Sequence, residues 1–125
     1  MDDADGYRIT GIEFLQFEGR GDTDRYGVLR LCAGGRCGYA RCELPGRGHR
    51  FDIVGWSSFL LDFRRPAIGE ARLIADARRA CWGSVKAELV IEACRDLSRR
   101  IRGDREALPE PVLALDECQS YFEVL

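Results

Sequence analysis

The chain has 125 residues, which is enough for one hydrophobic core and too few for two ordinary domains. Apolar residues make up 46% and charged residues 32% of the chain, and the formal net charge is -2, which argues against a disordered chain and against nucleic-acid binding through a basic surface. Charges interrupt every apolar stretch, and residues 1–5 lack the basic and then apolar start of a secretion signal. We therefore expect a cytoplasmic protein whose partner is neither nucleic acid nor a membrane.

Alternation of apolar and polar residues predicts three antiparallel strands in the first part of the chain. We expect these strands between Tyr7 and Phe17, from Tyr26 to Ala33 and from Arg36 to Glu43. Gly34 and Gly35 allow the positive φ angles of a two-residue hairpin turn, so the second and third strands should pair directly. Residues 18–25 are polar and rich in glycine and aspartate, which is typical of an exposed loop.

Helical periodicity replaces this alternation after the turn at Gly46. Asp52 can cap the first helix, with Phe51 packing on Trp56 as a hydrophobic staple. Apolar residues then recur at helical spacing as far as Phe63, so one side of this helix should face inward.

Two further helices are predicted downstream. Pro66 separates the first helix from the second, which includes Leu73 on its apolar side. Ser84 can cap the third helix, in which apolar residues recur every four positions from Val85 onward. Arginines fill the last turn of this helix, where positive charge favours the helix dipole, and Gly103 should end it.

These elements predict an α+β fold, in which a three-stranded antiparallel meander is followed by a bundle of three to four helices. We expect a single domain over residues 1–125. Its strands should lie within about 7–43, its helices within about 52–115, and a strand-like C-terminal segment within 117–125.

Six cysteines are many for a chain of this length, yet a reducing cytosol disfavours structural disulfides. The hairpin register places Cys32 opposite Cys37, and the odd spacing places Cys42 on the other face of the sheet. We expect Cys32 and Cys37 to be packing thiols, with a redox-sensitive cross-strand bond as the alternative. A zinc site would need a fourth ligand from His49 or a distant thiol, so no metal site is predicted.

Short motifs follow one another along the hairpin, the long helix and the segment after it. Their residues are Gly38, Tyr39, Asp96, Leu97, Gly103 and Pro111. Their order resembles the N-terminal capping domain of the enolase superfamily, especially the mandelate racemase and muconate-lactonising group. The likeness covers roughly Tyr7 to Leu115. The sequence departs from the family pattern at Arg41, Arg95 and Arg99, so the resemblance implies no particular substrate.

The resemblance implies a protein that is not catalytic by itself. The family's catalytic groups lie on a (β/α)₈ barrel, and such a barrel needs about 250 residues. We therefore expect a stand-alone capping-domain-like protein, without a cofactor, that acts by association. Its partner would be a separately encoded barrel chain or a second copy of itself in a homo-oligomer.

Position in the resembling domains also suggests where contacts are made. Ligand contacts are expected in the loops after the first and third strands, at Arg20, Asp22, Asp24, Tyr39, Arg41 and His49. Two aspartates are too few oxygen ligands for a calcium loop, so the prediction of no metal stands. Interface residues are expected in the apolar C-terminal segment, at Tyr121, Phe122, Val124 and Leu125, and this segment could also fold back as an added strand.

The alternative is that the protein is an enzyme or binds a small molecule. His49 lies in a stretch rich in glycine and arginine, so a small self-contained enzyme or a small-molecule-binding protein could use the loops around it. The spacing of the sequence fixes no acid-base partner for His49. Replacement of His49 by alanine separates the two classes, because it abolishes turnover only in the enzyme.

Overall fold

The structure of the chain, a computed structural model, describes residues 3–18, 25–44, 51–103 and 120–123. Within these ranges, four strands form one sheet: β1 (Gly11–Glu18), β2 (Arg25–Ala33), β3 (Arg36–Glu43) and β4 (Ser120–Glu123). The described residues between β3 and β4 form four α-helices: α1 (Ile53–Ser57), α2 (Ile68–Ala77), α3 (Arg79–Trp82) and α4 (Ser84–Arg102). Short 3-10 turns cover Asp3–Gly6 and Ser58–Asp62. The predicted α+β class, with a three-stranded antiparallel meander followed by helices, is confirmed.

The sheet is antiparallel throughout, with the strand order β3-β2-β1-β4. Gly34 and Gly35 form the two-residue turn between β2 and β3, with φ angles of 58° and 75° that side chains with a Cβ rarely adopt. This turn fixes the register, so Ala33 pairs with Arg36 and Cys32 pairs with Cys37, as the sequence predicts.

The helices cover one face of the sheet and form the main core with it. Alternate residues of the central strands point into this core, where Ile12, Phe14 and Leu29 have no exposed surface. Helix α4 contributes a continuous apolar side to the same core, made of Leu89, Val90, Ala93, Cys94 and Leu97. Burial of these side chains, at about 25 cal/mol per Å² of apolar area, holds the helical layer on the sheet.

Helix α4 lies very close to β3. A Cβ atom placed on Gly38 would be 2.4 Å from the backbone nitrogen of Leu97, so only glycine fits at this crossing. The helix ends where the sequence predicts, because Gly103 adopts a left-handed conformation with φ 67° and its N–H bonds back to the Arg100 carbonyl.

Some details of the helical layer differ from the prediction. Asp52 precedes α1 but makes no side-chain capping bond, although the predicted contact of Phe51 with Trp56 is present at 6.2 Å between ring centroids. Leu73 and Val85, both predicted to face inward, are 73% and 57% exposed. The buried side of α2 is formed instead by residues that include Ala71 and Ala75, and that of α4 begins at Ala87 and Leu89.

The second face of the sheet carries a smaller apolar cluster of Leu15, Phe17 and Val28, packed with Tyr26 and Tyr39. Both faces of the first strand therefore carry buried apolar side chains. Cys32 and Cys37 lie on this second face and are joined by a disulfide. The expectation that these two residues are packing thiols is therefore wrong. They form the cross-strand bond that was the alternative.

The C-terminal strand β4 pairs antiparallel with β1, and Glu123 lies opposite Glu13. Residues 120–123 thus fold back onto the edge of the sheet. No helix in the described part of the chain combines the length and the apolar character that crossing a bilayer requires.

A candidate docking surface on the third strand

Strand β3 forms one edge of the sheet, because β2 is its only neighbouring strand among the described residues. The pair Ala33 and Arg36 closes the two-residue turn and is therefore a hydrogen-bonded pair. Since such pairs alternate along an antiparallel ladder, every second residue of β3 points its backbone N–H and C=O away from β2. These outward residues are Cys37, Tyr39, Arg41 and Glu43.

Helix α4 closes part of this edge. The backbone N–H of Tyr39 donates to Asp96 Oδ2 at 2.9 Å, and Arg100 Nε donates to the same oxygen at 2.9 Å. The side chains of Arg100 and Asp96 are only 13% and 14% exposed, so this is a semi-buried, hydrogen-bonded ion pair. The Arg100 guanidinium also lies 5.6 Å from the centre of the Tyr39 ring, so α4 holds this residue in place from two sides.

Nothing among the described residues covers the C-terminal half of the edge. No described residue takes up the outward backbone groups of Arg41 and Glu43, whose side chains are exposed. The Arg41 guanidinium lies over the Tyr26 ring, 3.8 Å from its centre, which keeps this long side chain extended across the second face. We call Arg41 to Glu43 together with Tyr26 the open edge.

Strands β2 and β3 are rich in arginine. Together they contain four arginines and one glutamate, namely Arg25, Arg30, Arg36, Arg41 and Glu43. Arg30 lies 3.9 Å from Glu13, and the Arg25 guanidinium lies 5.9 Å from the centre of the Phe51 ring. The open edge itself contains one arginine and one glutamate, Arg41 and Glu43.

The described residues offer little for catalysis or metal binding. No group of three or more His, Cys, Asp or Glu side chains among them could hold a metal ion. Burial raises the pKa of the Cys42 thiol to about 11 and that of Cys94 to about 12, so both remain protonated and weakly nucleophilic at neutral pH.

A groove of about 640 Å³ lies between α2 and α4, away from the open edge. Its charged groups pair with one another: Arg72 with Asp5, and Arg79 with Asp76 and Glu88. Because these ion pairs satisfy the arginines that line the groove, no unpaired charge there selects a ligand.

The predicted site residues fall into three groups. Tyr39 and Arg41 come together on the second face of β3, two residues apart. The predicted ligand contacts Arg20, Asp22, Asp24 and His49 and the predicted interface residues Val124 and Leu125 lie outside the described residues. Tyr121 and Phe122 belong to β4, where the structure describes only their backbone pairing with β1.

Sequence reasoning did not identify the network that organises this surface. Asp96 lies 57 residues from Tyr39 along the chain, and no local pattern indicates that its carboxylate bonds to a strand edge. The predicted hairpin register could have indicated the contact of Tyr26 with Arg41. Tyr26 lies opposite Glu43 and therefore diagonal to Arg41, a distance that long and aromatic side chains can span.

Comparison with known proteins gives one informative similarity. No protein-family profile matches the chain, and no solved structure matches it. The chain is similar to the human Ras association domain-containing protein 1, with 33% identity over 107 aligned residues. The alignment covers 76% of this chain and 31% of the human protein, so the chain corresponds to about a third of that relative.

This similarity overturns the predicted kinship with the enolase superfamily. The comparisons provide no support for a capping domain or for a partner barrel, and the relative is named for association with Ras. The prediction was wrong because it used the order of strands, helices and short Gly and Asp-Leu motifs, which unrelated α+β folds share. What agrees with the relative's name is the coarser expectation that the chain works through protein–protein interaction.

Proposed function

We propose that this chain is a protein-interaction domain that associates with a small GTPase of the Ras type. The observation that carries the proposal is the 33% identity with the human Ras association domain-containing protein 1 over 76% of this chain. The open edge of β3 supplies a surface on which such an association can form.

Strand addition is the binding mode that fits the open edge. An extended partner segment can pair with the outward N–H and C=O groups of Arg41 and Glu43, which have no partner among the described residues. Asp96 occupies the outward N–H of Tyr39, so the added strand should pair from Arg41 toward the C-terminal end of β3. Arg41 is central to this mode, since it provides a backbone donor and a charged side chain.

Charge should select the partner segment. Strands β2 and β3 carry four arginines and one glutamate, and Arg41 lies over the Tyr26 ring, where its guanidinium can still donate hydrogen bonds. An acidic segment gains from this field both in association rate and in specificity. Binding should therefore weaken as salt concentration rises.

The nucleotide on the GTPase should control binding. In small GTPases the γ-phosphate and its Mg²⁺ order the switch loops, and hydrolysis releases them. A strand can be added only from a segment that is held extended, because ordering a loose segment opposes binding. We expect the chain to prefer the GTP-bound state.

The first test measures the Kd of the whole chain by calorimetry, against a panel of Ras-family GTPases loaded with GDP or a non-hydrolysable GTP analogue. Arg41→Glu reverses one charge, and Arg41→Pro removes one outward N–H while leaving the β2–β3 ladder bonds in place. Each should weaken binding at least about ten-fold, which corresponds to about 1.4 kcal/mol. Arg64→Glu, an exposed charge reversal outside the sheet, is the control and should change Kd less than about two-fold.

Two results would overturn parts of this proposal. If the unmodified chain binds no member of the panel in either nucleotide state, the association with a Ras-type GTPase is wrong. If it binds and both Arg41 variants bind equally well, the partner docks somewhere other than the open edge.

We further propose that residues 1–125 act as one domain and that the protein meets its partner in the cytoplasm. The continuous core shared by the sheet and α4 supports the first point. A single cooperative transition, with equal calorimetric and van't Hoff enthalpies, is the expected thermal result. Fractionation of the native cells tests the location.

A further inference from the structure

The charges of the open edge are complementary to themselves. Arg41 and Glu43 are both exposed and lie two residues apart on the second face of β3, with their backbone groups pointing away from β2. Among the residues that the structure describes, neither side chain has an ion-pair partner. A strand with one cation and one anion at successive outward positions can pair with an antiparallel copy of itself.

Backbone geometry limits the ways in which two such edges can pair. Outward residues of one strand must lie opposite outward residues of the other, since only these residues exchange hydrogen bonds across the new seam. In a symmetric pair, Arg41 can therefore lie opposite Arg41 of the second copy, Glu43 opposite Glu43, or Arg41 opposite Glu43. The first two registers place like charges directly opposite each other, which destabilises a sheet, whereas the third forms two ion pairs related by a two-fold axis.

Helix α4 favours the same register. With Arg41 opposite Arg41, Glu43 would lie opposite Tyr39 of the second copy, and the outward N–H of Tyr39 already donates to Asp96. The register with Arg41 opposite Glu43 uses no backbone group of Tyr39. It also separates the two copies of Tyr39 by about 20 Å along the seam, so the two α4 anchors do not meet there.

Cys42 would lie on the two-fold axis of this register, opposite its own copy. Residues at such a non-hydrogen-bonded pair approach most closely, with Cα atoms about 4.5 Å apart, so a bulky side chain would be unfavourable there. Cys42 is small, half-buried and packed against the main core on the face that the helices cover. The residue at the axis therefore leaves room for its copy.

We propose that a second copy of this chain occupies the open edge when no GTPase is bound, with Arg41 of each copy opposite Glu43 of the other. Strand β4 already covers the β1 edge, and a two-fold interface is closed, so the assembly stops at two copies. The contact consists of two hydrogen-bonded residue pairs that are also the two ion pairs. A contact this small should be weak, with a dissociation constant of about 0.1–1 mM.

Self-pairing should regulate the docking of the GTPase, and in this effect the inference rests on the proposed function. Both partners need the outward backbone groups of Arg41 and Glu43, so they exclude each other. They differ in their use of Glu43, because self-pairing needs its carboxylate and an acidic GTPase segment is repelled by it. Glu43→Arg should therefore prevent self-pairing and strengthen GTPase binding, whereas Arg41→Glu should weaken both.

The experiment is sedimentation equilibrium of the whole chain, without a GTPase, at concentrations up to about 1 mM. Arg41→Glu and Glu43→Arg should each weaken self-association at least about ten-fold, because each places like charges opposite each other twice. An equimolar mixture of the two variants should associate again, since every seam pair then joins a glutamate to an arginine. Arg64→Glu and Glu92→Arg, exposed charge reversals outside the sheet, are the controls and should change self-association less than about two-fold.

Two further measurements locate the seam and test the competition. Amide exchange of residues 41–43 should slow as the concentration of the unmodified chain rises, and it should not slow in either single variant. The apparent Kd for the GTPase should increase about two-fold when the chain concentration equals the dimer dissociation constant, because half of the chain is then paired. Glu43→Arg should show no such dependence on concentration.

Four results would overturn parts of this inference. If the unmodified chain remains monomeric at about 1 mM, self-pairing is wrong, whatever the GTPase does. If the chain associates but the mixture of the two variants does not, the copies do not meet in this register. If the register holds and GTPase binding is independent of chain concentration, the mutual exclusion is wrong. If no GTPase binds any variant, the proposed function fails, while sedimentation still decides whether the chain pairs with itself.

Discussion

Gly38 illustrates how one missing side chain positions a whole helix. Its position against the Leu97 backbone lets α4 approach β3 closely enough for Asp96 to reach the strand edge. The sequence marks Gly38 as part of a motif, but the reason for glycine becomes clear only when the crossing with α4, 59 residues later, is known. Contacts of this kind lie outside what local propensity can predict.

Substitution of Gly38 tests this close approach. In Gly38→Ala, the new Cβ would lie 2.4 Å from the Leu97 nitrogen, and a backbone atom of a packed helix cannot move aside without cost. We expect the free energy of unfolding to fall by about 1–3 kcal/mol in urea denaturation. Gly6→Ala is the control, because nothing lies within 4 Å of a Cβ at that position. Equal stability of the two variants would show that α4 is farther from β3 than described.

The elements of the fold were largely predictable where one local signal dominated. The two glycines of the hairpin turn fixed the register of β2 and β3, and the bounds of β3 agree with those predicted. The four-residue repeat and Gly103 predicted α4 from its first to its last turn. Prediction failed at Leu73, because the side of α2 that carries the small Ala71 and Ala75 is buried and the side that carries Leu73 faces solvent.

The open edge was only half predictable. Tyr39 and Arg41 were predicted as ligand contacts in loops from the resemblance to a capping domain, and the structure places both within strand β3. The sequence did not indicate that helix α4 would close one part of the edge through Asp96 and leave another part open. That division depends on how two elements approach each other, which no single segment encodes.

The link between α4 and β3 can be tested with Asp96. Asp96→Ala leaves the Tyr39 N–H and the semi-buried Arg100 guanidinium without their shared acceptor, and loss of a buried acceptor costs about 1–3 kcal/mol. Asp96→Asn keeps an acceptor for Tyr39 and should cost less. The measurements are urea denaturation and amide exchange of Tyr39, which should accelerate in the alanine variant.

A matched control for Asp96 exists on the same helix. Glu92 pairs with Arg95 at 3.1 Å, but these side chains are 56% and 52% exposed, so solvent screens their interaction. Glu92→Ala should change stability by less than about 0.5 kcal/mol. If Asp96→Ala is equally mild, the ion pair with Arg100 is a surface contact and does not anchor the helix to the strand.

At the scale of the whole molecule, the two edges of the sheet differ in how they are covered. Strand β4 covers the β1 edge through four residue pairs, whereas on the opposite side none of the residues that the structure describes covers the C-terminal half of β3. An uncovered edge invites pairing with another chain, so natural proteins leave one open chiefly where a partner uses it. This difference between the edges supports the proposed docking at β3. It also indicates that β4 protects the β1 edge from pairing with another chain.

Removal of β4 tests that role. A chain that ends at residue 119 exposes the β1 edge, where Phe14 and Leu15 lie on opposite faces of a strand that has lost its neighbour. We expect the free energy of unfolding to fall by about 2 kcal/mol, from the loss of a few ladder hydrogen bonds, and sedimentation to show self-association that grows with concentration. A chain that ends at residue 123 retains β4 and should remain as stable as the full chain. If the shorter chain is equally stable and does not associate, β4 contributes nothing to the sheet, and the predicted role of the C-terminal segment as an interface would be the better interpretation.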